Sequence, residues 1–214
     1  MCDSVAMQNL SQSEATSKAL RSQLRAKRRQ LSPGFQSRAS NAASRQLLKR
    51  GSRSAGAIRR AKSVAIYLPA FGEISPLPLL LPLSKRSVAI YVPVTFGVHM
   101  RFIKLSVSAI KRLRLRRHSL GMSAVAGRGT RSMSQLDLVL VPLVAFDAAG
   151  NRLGMGGGFY DRALTGAKST LKLGYAYDFQ RVSALRVNPW DVKLDGVVTQ
   201  NTMTTFRGFA RLCI

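Results

Sequence analysis

Acidic residues are scarce in this chain. Nine Asp and Glu stand against 34 Lys and Arg in 214 residues, a formal net charge of +25. A surface of that sign attracts polyanions, so nucleic acid, nucleotides, polycarboxylates and anionic membrane are the candidate partners. Cysteine is nearly absent as well. Cys2 and Cys213 lie one near each terminus. They make no disulfide framework, and with His99 and His118 they give no metal-ligand spacing. A reducing compartment, the cytoplasm, is expected. No apolar run is long enough to cross a membrane, because the longest, from Leu136 to Phe146, contains Asp137 and Pro142. The N-terminus has no signal-peptide apolar region, and Asp3 and Glu14 argue against a transit peptide. Zinc-ligand arrays and the paired aromatic strands of an RNA-recognition sheet are missing too. Basic residues run from Lys18 to Arg211 and are densest at Arg25–Arg29, Arg59–Arg60 and Lys111–Arg117. Such a spread fits a solvated basic surface with non-specific nucleic-acid affinity sooner than a dedicated nucleic-acid site.

What is present suffices for one substantial core, since 46% of the residues are hydrophobic. Residues 1–16 are polar with little periodicity and are expected to form a loose leader, leaving 17–214 as a single domain. Leu20, Leu24 and the apolar stem of Arg28 recur at helical spacing. They predict a helix from Ser17 to Gln30, stopped by Ser32-Pro33-Gly34. A second helix is predicted from Phe35 to Arg50, ended by Gly51. Ser63–Pro69 and Ser87–Pro93 are predicted strands. Between them Ile74–Leu83 should hold a crossover helix that Pro78 and Pro82 shorten. Met100–Leu105 suggests a short strand. Residues 106–134, basic and without one acid, predict a long loop. Leu136–Val144 is the predicted central strand, followed by a helix from Gly158 to Leu164. Leu171–Tyr177 is a further strand, Gln180–Leu185 a short helix and Val197–Thr199 a last strand. Strands alternating with helices favour a mostly parallel sheet covered on both faces, a three-layer α/β/α domain.

The most informative stretch follows the central strand. Asp147, Gly150 and Asn151 make a turn. Gly154, Gly156, Gly157 and Gly158 then fall within five residues, before Phe159-Tyr160-Asp161-Arg162. Strand, glycine-rich loop and helix start together build phosphate cradles, because glycines let backbone N–H groups approach an anion closely. Neither a Walker loop nor the usual dinucleotide spacing is present. Arg152 before the loop and Asp161 after it add a cation and a carboxylate, which suits a metal-bound nucleotide phosphate. With so few acids, each one outside the leader is a candidate. Glu73 lies past the first strand, where parallel sheets bind ligands, and either caps a helix or accepts hydrogen bonds from a substrate. Asp161 either complements a helix dipole or binds a metal, and Asp191 either caps a turn or joins Asp161 on Mg²⁺. Asp137, Asp147 and Asp195 are expected at strand edges and turns. Trp190 is expected in the core.

Val141-Pro-Leu-Val-Ala-Phe-Asp-Ala-Ala-Gly-Asn-Arg-Leu-Gly-Met-Gly-Gly-Gly-Phe-Tyr-Asp-Arg-Ala-Leu164 resembles the signature of the 5-formyltetrahydrofolate cyclo-ligase (methenyltetrahydrofolate synthetase) family. Leu20-Arg21 with Arg28-Arg29, Tyr67–Ile74 and Leu173–Thr199 resemble the family's other blocks in the same order. The resemblance implies a single α/β domain of the NagB/RpiA/CoA-transferase-like type, expected as a monomer. It implies conversion of 5-formyltetrahydrofolate, polyglutamylated or not, to 5,10-methenyltetrahydrofolate with ATP and Mg²⁺. By the same resemblance Lys18 and Arg21 contact ATP phosphates, and Arg152, Leu153, Gly154, Met155, Gly156, Gly157, Gly158, Phe159 and Tyr160 hold the nucleotide. Arg152 and Tyr160 are the implied catalytic residues. Leu68, Glu73, Met155 and Phe159 border the folate, and Asp161 and Asp191 hold the metal. For Phe159 and Tyr160, packing at a helix start is the open alternative. Lys18 lies three residues before Arg21 where many members place the lysine at four, and Met155 and Gly157 stand where some members carry basic residues. The rival reading is a non-catalytic, basic nucleic-acid-binding protein on the same fold.

Overall fold

Alternate residues of the apolar runs enter opposite sides of one sheet, and both sides are buried. Val64, Leu138, Leu140, Ile90 and Val92 pack on one side, and Ala65, Val139, Val141 and Tyr91 on the other. This two-sided burial explains why the strands are continuously hydrophobic rather than alternating. Each fully buried aliphatic side chain contributes about 1.5–3 kcal/mol relative to exposure. The computed structural model of the chain describes residues 2–49, 59–106, 108–109 and 130–206, with side chains from Thr16 onward.

Two helices, α1 (Cys2–Arg29) and α2 (Pro33–Leu48), precede the sheet. The strands are β1 (Ser63–Ala65), β2 (Ala89–Phe96), β3 (His99–Lys104), β4 (Thr130–Arg131), β5 (Leu138–Pro142), β8 (Leu171–Tyr175), β9 (Gly196–Val198) and β10 (Met203–Thr205). Their order in space is β10-β9-β8-β5-β1-β2-β3-β4. The inner pairings, β2 with β1, β1 with β5, β5 with β8 and β8 with β9, are all parallel, and β3, β4 and β10 join antiparallel at the edges. A small hairpin of β6 (Ala145–Phe146) and β7 (Arg152–Leu153) leaves the end of β5. Two short helices, α3 (Leu80–Lys85) and α4 (Phe159–Thr165), lie between strands. Helix α2 and α3 cover one side of the sheet and α4 the other, as expected for a three-layer α/β domain.

Several local expectations need correction. The expected leader is the first half of α1, because no glycine or proline interrupts the chain before Pro33. The crossover is a 3₁₀ turn at Leu77–Leu79 running into α3, with prolines at 76, 78 and 82 preventing a longer regular helix. Thr130 and Arg131 pair with β3, so the predicted loop ends before them; residues 107 and 110–129 lie outside the described residues. No helix forms at Gln180–Leu185. A 3₁₀ turn at Asp178–Gln180 takes its place, and the Gln180 side chain donates to the carbonyls of Leu143 at 2.8 Å and Val144 at 2.9 Å. Gly51 lies outside the described residues; α2 closes at Lys49, whose backbone is extended.

The β6–β7 turn carries Asp147, which is 3% exposed. Its Oδ1 accepts from the N–H groups of Ala149 at 2.9 Å and Asn151 at 3.0 Å. Its Oδ2 accepts from Asn151 Nδ2 at 2.8 Å and from the Leu185 N–H at 3.0 Å. Burial alone would raise its pKa. The hydrogen bonds from Asn151, Leu185 and Ala149 outweigh that effect and hold the carboxyl below its usual value. A depressed folded-state pKa stabilises the fold above the unfolded carboxylate range, and the gain is lost as pH falls through the lowered value. Asp147→Ala should therefore cost about 3 kcal/mol near neutrality, and the deficit should shrink below about pH 4. Urea unfolding of both proteins at neutral and acid pH measures this; a pH-independent difference would contradict it.

Candidate active site

Strand β1 lies between β2, which follows it, and β5, which comes later in the chain. The direction of strand order therefore reverses between β1 and β5, the point beyond whose carboxyl ends open parallel sheets bind ligands. The loop after β1 carries Glu73. The segment after β5 carries the β6–β7 hairpin and then the glycine loop. Helix α1 rests on both.

Arg21, Leu24 and Arg28 fall at spacings of three and four and share one face of α1. Leu24 packs with Val144 and Ala145, flanked by Leu20 and Leu153. Arg21 Nε donates to the Gly154 carbonyl at 2.9 Å. Arg28 is 0% exposed. Its Nη1 lies 3.6 Å from Glu73 Oε1 and 3.5 Å from the Leu143 carbonyl, and its Nη2 lies 3.8 Å from Met155 Sδ. The helix can sit this close because residue 72 is glycine. Gly72 has φ +73°, and a Cβ there would meet the Arg28 carbonyl oxygen at 2.9 Å. Phe71 beside it also has positive φ, 51°, and is 64% exposed. Glu73 is not a helix cap. Its Oε2 accepts from the Ala70 N–H at 3.1 Å, within its own loop. Burial raises its pKa, while the Ala70 hydrogen bond and the Arg28 charge oppose the rise.

The other half of the site is built on β7 and α4. The Arg152 side chain is 3% exposed and pairs with Asp161, whose side chain is 35% exposed. Nη2 of Arg152 donates to Asp161 Oδ1, and Nη1 donates to the Val192 carbonyl. Asp191, one residue earlier, accepts the Asn188 N–H on Oδ2 at 2.8 Å, so it does cap a turn. Asp161 and the Asp191–Val192 turn are thus drawn to one guanidinium. Tyr160 is raised in pKa by burial and then by the charge of Glu73, with Arg152 opposing. Its phenol therefore stays protonated and responds to charges in both halves. Gly158 enters α4 at φ +65°. Arg162 donates to the Gly157 carbonyl at 3.2 Å and lies 5.1 Å from the centre of the Phe159 ring.

The contacts thus link Arg21 to Gly154, Arg28 to both Glu73 and Met155, and Arg152 to Asp161 and to Val192, the residue after Asp191. Leu68 is half-buried against the larger core cluster. Lys18 is exposed, three residues before Arg21 on α1. Among the described residues no three His, Cys, Asp or Glu side chains converge as a metal cluster. Trp190 is 66% exposed rather than core, because the turn capped by Asp191 holds it outside the sheet layers. Asp137 and Asp195 are structural, as expected. Asp137 binds the N–H groups of Lys62 at 2.9 Å and Ser63 at 2.8 Å. Asp195 pairs with Lys172 Nζ at 3.3 Å. The residue whose contacts sequence reading missed is Arg28, treated there for its apolar stem and as part of the N-terminal block of the resemblance. The available signal was its heptad spacing from Arg21, with Leu24 between them. Gly72→Ala should destabilise the protein by about 2 kcal/mol through the left-handed φ and the contact with Arg28. Denaturant titration checks this; a change below about 0.5 kcal/mol would mean that α1 is not seated on this loop.

Relatives were found in sequence and in structure. A profile of the 5-formyltetrahydrofolate cyclo-ligase family matches residues 13–200. A 5-formyltetrahydrofolate cyclo-ligase of Escherichia coli is 37% identical over 147 residues, covering 65% of this chain and 78% of that protein. The Haemophilus influenzae protein of the same name is 36% identical over 140 residues, covering 64% and 74%. Among solved structures, the 5,10-methenyltetrahydrofolate synthetase of Aquifex aeolicus superposes with a TM-score of 0.72 at 29% identity, covering 89% of this chain and 93% of that one. That of Mycoplasma pneumoniae gives 0.67 at 26% identity, covering 86% and 98%.

Proposed function

The chain belongs to the 5-formyltetrahydrofolate cyclo-ligase family and is a ligase, and from that premise we propose that it closes 5-formyltetrahydrofolate to 5,10-methenyltetrahydrofolate with ATP and Mg²⁺, releasing ADP and phosphate. One observation carries the reading. A single face of α1 reaches the glycine loop through Arg21 at Gly154 and through Arg28 at Met155, while Arg28 also reaches Glu73. The glycine loop, read as a nucleotide cradle, and a carboxylate that can accept hydrogen bonds from a pterin are thus held by one helix face.

The residues divide the work as follows. The glycine loop from Gly154 to Gly158, with Arg21 and Arg152, holds the triphosphate, with Lys18 at its outer edge. Leu153 supports the loop from the hairpin. Glu73 orients the pterin, with Leu68, Met155 and Phe159 along its border. The formyl oxygen of the folate takes the γ-phosphoryl group, and the bond to ADP breaks. N10 then attacks the activated formyl carbon and gives up its proton, and phosphate leaves with the former formyl oxygen as the ring closes to the methenyl cation. Catalysis of such a transfer is mainly positioning and charge neutralisation. Arg152, held by Asp161 and the Val192 carbonyl, supplies fixed positive charge beside the loop. Tyr160, protonated, supplies a hydrogen-bond donor between the two halves. Asp161 and Asp191 offer hard carboxylate oxygens, and one or two carboxylates with phosphate oxygens and waters satisfy Mg²⁺. That ion, when bound, neutralises charge on the phosphate oxygens.

The test is the ATP- and Mg²⁺-dependent appearance of the methenyl chromophore from 5-formyltetrahydrofolate. Asp161→Asn and Arg152→Ala should each lower kcat by about 100-fold with the fold retained; wild-type rates in both variants would remove the site assignment. With a net charge of +25, steering of the anionic substrates should also make kcat/KM fall as salt is added. A flat salt response would argue against steering. The nucleic-acid reading predicts instead no chromophore and RNA binding with a steep salt slope.

A further inference from the structure

Arg28 is the most buried cation in the described structure, at 0% exposure, and its hydrogen bonding is unusually thin. A guanidinium offers five N–H donors. Here Nε has no partner, and the three contacts of the other nitrogens are long, at 3.5, 3.6 and 3.8 Å. A buried charge held so loosely is poorly explained as a stabilising feature, since replacement by an apolar residue is often neutral or better. What its contacts have in common is the site. They comprise the Glu73 carboxylate, Met155 of the glycine loop and the carbonyl that follows β5.

We propose that Arg28 is the positioning residue of the folate side: it fixes the Glu73 carboxylate toward the pterin, beside Met155 on the folate border. This inference rests on the cyclo-ligase reading. The groups that face Glu73 come from four elements. Arg28 approaches from α1, with Arg25 behind it; Tyr67 follows β1, Tyr160 lies on α4 and Tyr177 follows β8. The tyrosines are neutral, and burial pushes each of them upward. Arg28, at 3.6 Å, is therefore the side-chain cation that joins the Ala70 hydrogen bond in opposing the rise that burial imposes on the Glu73 pKa. Its 3.8 Å contact with Met155 lies on the part of the loop that borders the folate, while the loop keeps its own place through Arg21 at Gly154. Arg21, a heptad earlier, serves the nucleotide loop without touching Glu73 in the described contacts.

The experiment uses the full chain and initial rates with each substrate varied in turn, as a function of pH. Arg28→Met should lower kcat/KM for 5-formyltetrahydrofolate by about 100-fold and leave the KM for ATP within about threefold. The acid limb of its pH profile should move to higher pH, because Glu73 loses the charge that opposes its protonation. Arg28→Lys, which keeps the charge without the fork, should recover about tenfold of the loss, leaving a folate-specific deficit of about tenfold, and return the limb toward the wild-type position. In a Glu73→Gln background, Arg28→Met should cost less than about threefold, since the group it positions is already gone. An equal cost in both backgrounds, an unmoved acid limb, or a matching rise in the KM for ATP would overturn the proposal. If Arg28→Met does not fold, Arg28→Lys decides. A wild-type KM for folate, or the same loss with or without Glu73, then counts against it, and a folate-specific loss confined to the Glu73 background supports it. A wild-type protein that forms no methenyl product sinks the cyclo-ligase reading and this inference together. An active wild type whose Arg28 variants are unaffected sinks this inference alone.

Discussion

Val64 lies opposite Leu138 and Ala65 opposite Val139 in the parallel pairing of β1 with β5, and every part of the site depends on that short ladder. Its entrance is clamped by Asp137. One carboxylate oxygen accepts from the N–H groups of Lys62 and Ser63 and from the Ser63 hydroxyl, and that hydroxyl in turn accepts the Asp137 N–H. The clamp sets the register at the start of the two strands, and two-sided burial of their side chains holds it. Because both run in the same direction, their carboxyl ends emerge side by side. The Glu73 loop and the glycine loop then face each other with no further device. A one-residue slip would exchange the two packed faces and separate the loops.

Helix α1 packs across this neighbourhood and links its two halves. Its apolar residues Leu20 and Leu24 sit on the hairpin after β5, and its arginines reach past them to backbone carbonyls and to Glu73. Gly72 makes room for the helix backbone. The result places a carboxylate in an apolar setting with one buried counter-charge. That arrangement costs desolvation energy, and the large strand core is what offsets it. The acids elsewhere act differently. Asp137, Asp147 and Asp195 tie strand ends and turns together, so in a chain with nine acids even the structural ones each organise a junction.

Much of this was legible in the sequence because the physics is local. Fully buried parallel strands need unbroken apolar runs, so β1, β2, β5, β8 and β9 announce themselves, although β1 stops at Ala65 rather than at Pro69. Loops that approach a ligand need glycine, so Gly154 to Gly158 stand out. The extent of α1 was misjudged because a polar helix without a burial stripe resembles a leader; only the lack of glycine and proline spoke for it. Trp190 was misjudged because aromatic character does not reveal that a turn capped by Asp191 keeps the ring outside. The turn at Asp178–Gln180 replaced a helix because the Gln180 side chain satisfies two distant carbonyls, a non-local gain that helical propensity cannot register.

By itself, then, the sequence determined the parallel core strands and β3, the glycine loop with Arg152 and Asp161 on its flanks, and the family to which the chain belongs, while the short strands β4, β6, β7 and β10 went unread. Only the tertiary structure decided which residues share the crevice. Arg21 meets Gly154 across 133 positions and Arg28 meets Met155 across 127, and no periodicity spans such distances. Arg28 illustrates the difference most sharply. On a linear chain it is one of 34 basic residues, and only burial beneath two loops, with Glu73 as its partner, distinguishes it from a solvated surface charge.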